Sequence, residues 1–132
     1  MTNVPMISIV EDDELVRDAV RDLIRSFGYA AATHASGEDY LSSDEHWTSS
    51  CVITDIQMQG MSGADLQALL IAEGNPTPII FMTAFDDEQT RTRVLRAGAL
   101  GYLKKPIDDS ALLECLEKAV NSRNRVRYST KE

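Results

Sequence analysis

The stretch Val52-Ile53-Thr54-Asp55-Ile56-Gln57-Met58-Gln59-Gly60-Met61-Ser62-Gly63 constrains this chain more than any other. Its opening apolar, β-branched run reads as a buried strand. One carboxylate, Asp55, stands where that run gives way to a glycine-rich turn. Ser62, with Asp65 three residues on, is a capping-box pattern that opens a helix. In parallel α/β sheets, ligands bind beyond the carboxyl ends of the strands. Asp55 is therefore placed where chemistry would be done. The plain alternative is a turn aspartate bonded to its own backbone.

The same unit recurs along the chain. Met6 to Val10 is a first strand that runs into Glu11-Asp12-Asp13, and Leu15, Val16, Ala19, Val20, Leu23, Ile24 and Phe27 follow at helical spacing until Gly28. Tyr29 to Ala35 reads as an edge-like second strand. Ser36 to Asp39 reads as a capping box for a short helix, followed by a polar loop around Trp47. Cys51 to Asp55 is the third strand, and the helix after Ser62 uses Leu66, Leu69 and Leu70 before stopping at Gly74. Pro76 and Pro78 lead into a fourth strand, Ile79 to Thr83. Asp86 to Ala97 is helical by composition, with little apolar face beyond Val94 and Leu95, which makes it a candidate moving part. Gly101 to Lys104 is a short fifth strand stopped by Pro106. Asp108 or Ser110 caps a last helix, and from Asn121 the apolar pattern gives way to a basic polar tail. Five strands alternating with five helical segments predict an α/β fold. Right-handed crossovers limit the topology to a few choices, among which a doubly wound, flavodoxin-like (βα)5 three-layer sandwich with a parallel sheet in the order 2-1-3-4-5 is the natural one.

Bulk properties narrow the function. A chain of 132 residues, 43% hydrophobic and 26% charged, is about one domain. A net charge of -8 disfavours broad electrostatic binding of nucleic acid. The acidic runs at 11–14 and 86–88 have solvated surface and helix capping as their simplest use. Cys51 and Cys115 sit in apolar patterns without a CxxC or cysteine–histidine spacing, as reduced, buried small hydrophobes would. No basic segment precedes an apolar leader and no run reaches membrane-spanning length, so a soluble, cytoplasmic domain is expected.

In the predicted architecture the ends of strands one, three, four and five bring Glu11, Asp12, Asp55, Thr83 and Lys105 to one edge. Three converging carboxylates repel one another, and a hard divalent cation such as Mg²⁺ relieves that repulsion while leaving room for a phosphate oxygen. A lysine and a threonine hydroxyl suit the remaining phosphoryl oxygens. The set is suited to phosphoryl transfer onto a carboxylate. Taken singly, Lys105 is an ordinary surface lysine, Thr83 a strand former and the acidic run a helix N-terminus; their convergence is the signal.

Over about residues 5–122 the chain resembles the receiver domains of bacterial two-component response regulators. The resemblance rests on Ile9-Val10-Glu11-Asp12-Asp13, Thr54 to Met58, Gly60 to Gly63, Met82-Thr83-Ala84 and Ala97 to Pro106. It implies phosphorylation of Asp55 by a sensor histidine kinase. Glu11, Asp12, Asp55 and the backbone carbonyl of Gln57 would hold Mg²⁺, and Thr83 and Lys105 would bind the phosphoryl group. Tyr102 would turn inward on activation, and the Lys105–Pro106 bond would be cis, as an X–Pro bond permits. Lys105 rather than Lys104 matches the motif, because it directly precedes Pro106. Glu11 and Asp12 are taken as the metal pair and Asp13 as the residue opening the helix. One position departs from the family: Gln59 stands where a proline is usual, which is expected to loosen the loop. Gln57 and Phe85 fall at positions that flank the phosphoryl group, where a bulky Phe85 would shield it from water.

The implied product is a switch in which the helix 4–strand 5–helix 5 face repacks to bind a second copy or an effector. Residues 1–122 form the receiver and 123–132 a basic tail or linker, as in the N-terminal regulatory part of a DNA-binding transcription regulator. A stand-alone receiver or phosphorelay protein is the alternative. A haloacid-dehalogenase-type phosphatase wants a second acid where Gln57 stands, and a flavin module wants a phosphate-cradling loop where Glu11 to Asp13 stand. Neither GxxxxGK[ST] nor GxGxxG is present. His34 and His46 are isolated and read as surface or packing residues.

Overall fold

A computed structural model describes residues 4–131. Five strands, β1 (Met6–Val10), β2 (Ala30–His34), β3 (Cys51–Asp55), β4 (Ile79–Thr83) and β5 (Gly101–Lys104), form one sheet. It is parallel throughout, in the order β2-β1-β3-β4-β5. The helices are α1 (Glu14–Ser26), α2 (Gly37–Leu41), α3 (Gly63–Ala72), α4 (Glu88–Arg96) and α5 (Asp109–Lys131).

Alternation along the strands divides the core in two. Ile7, Ile9, Cys51, Ile53, Ile80 and Met82 face α1 and α5, meeting Val20, Ile24, Leu112, Leu116 and Ala119. Val10, Val52, Ile79 and Phe81 face the other way, against Tyr40 of α2, Ala64, Leu66 and Leu70 of α3 and Val94 of α4. With both faces covered, all five residues of β3 and of β4 are buried. This is why those strands read as unbroken apolar runs.

Several local expectations are corrected. Leu15 lies at the margin of the inward stripe of α1, in its first turn, and is 82% exposed. Leu69 is 41% exposed, because Leu66 and Leu70 at i, i+4 define the buried side of α3. Ser62 and Asp65 complete a reciprocal capping box, but at α2 only the forward bond is made, Asp39 N–H to Ser36 Oγ. The loop around Trp47 contains a 3-10 helix, Asp44–Trp47. Asp108, not Ser110, caps α5: its carboxylate accepts from Ala111 N–H at 2.9 Å. α5 itself continues past Asn121 to Lys131. Both histidines are buried packing residues; His34 stands edge-on to Tyr40, and His46 Nε2 lies 2.7 Å from Glu73 Oε1. Cys51 is buried and Cys115 half-buried, both free, and burial pushes the Cys51 thiol well above its usual range.

Candidate functional site

Because every strand points the same way, their carboxyl ends share one edge, and five predicted residues arrive there. Glu11 directly follows β1 and is fully buried. Its amide donates to the His34 carbonyl at 3.0 Å, which continues the β1–β2 ladder one step beyond the strand. Its carbonyl accepts from the Arg17 guanidinium at 2.9 Å. Asp13 caps α1, accepting from the amides of Leu15 and Val16. That leaves Glu11 and Asp12, as expected, facing the edge.

Lys105 Nζ lies 2.7 Å from Glu11 Oε1 and 3.0 Å from Asp55 Oδ2, bridging residues 94 and 50 positions away in sequence. Its amide donates to the Thr83 carbonyl at 2.8 Å, which fixes it at the end of β4, and its bond to Pro106 is cis. Lys104 points elsewhere and pairs with Asp86 at 3.0 Å. Burial works against the Lys105 ammonium, but hydrogen bonds to Glu11 and Asp55 outweigh it and raise its pKa. Burial likewise raises the Glu11 pKa, with the Lys105 and Asp13 hydrogen bonds acting against it and the Asp55 charge adding to it.

Asp12 is exposed, and its Oδ2 accepts from the Gln59 amide at 3.1 Å. Glu11, Asp12 and Asp55 each offer an oxygen within 4.8 Å of the others. Among the described residues, Lys105 is the one cation paired with these carboxylates, through Glu11 and Asp55. The buried Oδ1 of Asp55 has no hydrogen-bond partner among the described residues. An orphaned carboxylate oxygen among hard oxygen donors, short of positive charge, fits a divalent cation.

The remaining predicted residues lie in different surroundings, and Tyr102 sits within β5 short of the carboxyl edge. Thr83 is 1% exposed. Its hydroxyl is held in a local turn, donating to the Phe85 carbonyl at 2.8 Å and accepting from the Phe85 amide at 3.1 Å. Tyr102 pairs with Phe81 in register and packs against the α3–α4 side of the core. Its hydroxyl is sealed from solvent near Asp86 and Asp87, and burial raises its pKa. Gln57 is exposed two residues beyond Asp55, and Phe85 is 70% exposed. Gln59 joins the site through its backbone. The sequence signals this only by the absence of a proline, which leaves an N–H at position 59.

The chain matches the family described as response regulator receiver domain over residues 7–117. It is 35% identical over 116 residues to the C4-dicarboxylate transport transcriptional regulatory protein DctR of Rhodobacter capsulatus, covering 86% of this chain and 59% of that one. It is 34% identical over 118 residues to the transcriptional regulatory protein TdiR of Thauera aromatica, covering 89% and 52%. The chain thus spans about half the length of these curated relatives. Among solved structures it is similar to the response regulator StyR, with a TM-score of 0.87 and 32% identity over 98% of this chain and 65% of that one. FixJ-N gives a TM-score of 0.81 and 28% identity, over 92% and 96%.

Proposed function

We propose, since this chain belongs to the response regulator receiver family, that it is a signalling switch worked by phosphorylation of Asp55. The observation that carries this reading is the buried, unpartnered Oδ1 of Asp55, beside Lys105 and within reach of Glu11 and Asp12. Glu11, Asp12, Asp55 and the backbone carbonyl of Gln57 would hold Mg²⁺. Bound there, the ion would offset the charge of the carboxylates and of an incoming phosphoryl group. Asp55 supplies the nucleophilic oxygen, and Lys105 stays beside it to pair with the transferred oxygens. The donor is a sensor histidine kinase, the setting is the cytoplasm, and loss of the phosphoryl group resets the switch.

Thr83 is the responding residue. To reach a phosphoryl oxygen, its hydroxyl gives up two hydrogen bonds to Phe85, each worth about 1 kcal/mol net. A bond to a charged oxygen returns about 1.5–3 kcal/mol, so the exchange is near balance and is tipped by the roughly -1.5 to -2 charge that phosphorylation adds. Tyr102 then moves into the space that Thr83 leaves, and α4, β5 and α5 present a changed face for a second copy or an effector. Driving such a switch from mostly one state to mostly the other takes about 5.5 kcal/mol.

Two relatives named as transcriptional regulatory proteins are about twice the length matched here. This favours a receiver comprising residues 1–122, with 123–132 as a linker toward a DNA-binding output, over a stand-alone phosphorelay protein. Intact-mass spectrometry after incubation with Mg²⁺ and acetyl phosphate tests the core of the reading. One Mg²⁺-dependent phosphoryl adduct is expected on the wild type and none on Asp55→Asn. Light scattering of the beryllofluoride-treated protein is expected to report a dimer. An adduct that survives in Asp55→Asn rules out Asp55 as the acceptor.

A further inference from the structure

Lys105 satisfies two of the three carboxylates at the sheet edge and does not contact the third. Asp12 has a different partner. Among the described residues, its carboxylate makes one hydrogen bond, from the backbone amide of Gln59 to Oδ2 at 3.1 Å. That donor exists only because position 59 is not proline, which has no N–H. The neighbouring residues of the loop run close to α2. Gly60 takes φ +78°, and the Glu38 carboxylate lies 3.1 Å from where a Cβ on Gly60 would be. The Met61 sulfur packs over Gly37 in the same way.

We propose that the backbone N–H of Gln59 is a positioning group for the cation site: it holds Asp12 beside Glu11 and Asp55 against their mutual repulsion. The proposal rests on the reading of this cluster as a Mg²⁺ site. Three like charges within 4.8 Å push the exposed one outward, and a free aspartate on the surface would rotate away. The amide dipole opposes that rotation without adding charge. It occupies one of the two carboxylate oxygens and leaves the other for the ion. Hydrogen bonds to ligating carboxylates commonly matter in this way, and their loss typically costs 10–100-fold in metal affinity. This one is solvent-exposed, so the lower end applies. The missing proline therefore adds a donor to the cation site as well as removing stiffness from the loop.

The test is Mg²⁺ affinity by isothermal titration calorimetry on the wild type, Gln59→Pro, which removes the donor, and Gln59→Ala, which keeps it. Gln59→Pro is expected to bind about tenfold more weakly, with Gln59→Ala within twofold of the wild type and thermal midpoints unchanged. A stiffer loop alone would favour binding, so the sign separates the two effects of proline. Equal or tighter binding by Gln59→Pro, or equal weakening in Gln59→Ala, overturns the proposal. A second measurement does not depend on how proline is tolerated. The Gln59 amide resonance of ¹⁵N-labelled wild type is expected to shift in Asp12→Ala, and an unmoved resonance overturns the proposal too. If the wild type binds no Mg²⁺ while acetyl phosphate still labels it, the cation reading fails and this proposal with it. If the wild type binds Mg²⁺ and Gln59→Pro matches it, only this proposal fails.

Discussion

Glycine at position 63 lets the first turn of α3 come down directly onto the end of β3. Its amide donates to the Ile56 carbonyl at 2.9 Å. A Cβ there would overlap the Asp55 carbonyl oxygen and lie 3.1 Å from Ile56 Cα. Both obstacles are backbone and cannot rotate aside. Alanine is the better helix former by about 1 kcal/mol in a helix interior, but position 63 is the first helical residue, where that preference counts for little. Overlap therefore wins. Gly63→Ala is expected to lower stability by about 1–3 kcal/mol in urea denaturation and to slow labelling of Asp55 by shifting its backbone. A loss under 0.5 kcal/mol with an unchanged labelling rate would mean that the loop absorbs the methyl group freely. Sequence already singled out Asp55, Lys105 and the Glu11–Asp12 pair, because each sits at a fixed offset from a strand end or from Pro106. The Gln59–Asp12 bond and the Thr83–Phe85 turn were not legible, since side-chain type does not report what a neighbouring amide does. Position 59 at least departed from the family pattern. Thr83 gave no such sign.

Among the elements, α4 is the weakly held one, and this was visible from its sequence. It buries only Val94, whereas α5 buries Leu112, Leu116 and Ala119 among its described side chains. At about 1.5–3 kcal/mol for a fully buried aliphatic side chain, α4 has roughly one such contribution to hold it. The side-chain amide of Gln67 donates to the Val94 carbonyl at 2.9 Å, and the segment leading into α4 is tied by the exposed Lys104–Asp86 pair, which water and salt weaken. Val94→Ala is expected to cost about 2 kcal/mol, and to do so locally. Hydrogen exchange should quicken across 88–96 while the amides of β1 and β3 keep their protection. Uniform loss of protection would show α4 to be part of the global folding unit rather than a separately opening surface. Element ends and short pieces were the least legible. Asp44–Trp47 is four residues of 3-10 helix with no apolar period to announce it. The continuation of α5 beyond Asn121 has a helical backbone, but its sequence carries no apolar period to announce it.

For the molecule as a whole, strand order was readable because five short apolar runs joined by short crossovers leave few right-handed solutions. The consequence of that topology is that Glu11, Asp55 and Lys105, far apart in sequence, meet only in the folded chain. A cation held there binds the native state and finds no comparable cluster when the chain unfolds, so binding and folding are linked. At a Mg²⁺ concentration ten times the dissociation constant the linkage is worth about 1.4 kcal/mol, which moves the thermal midpoint by several degrees in a domain of this size. A second effect runs in the same direction. The net charge of -8 makes the folded chain repel itself, and any salt screens that repulsion. NaCl at matched ionic strength separates the two, since screening follows ionic strength and site binding follows the ion. The wild-type midpoint is expected to rise with Mg²⁺ well above the NaCl control. Asp55→Asn, with one charge of the cluster removed, is expected to start higher without Mg²⁺, because repulsion in the cluster is relieved, and then to follow the NaCl curve. A wild type that rises equally in both salts would reduce the acidic cluster to part of the general surface charge. An Asp55→Asn response as large as the wild type's would place the ion away from the sheet edge.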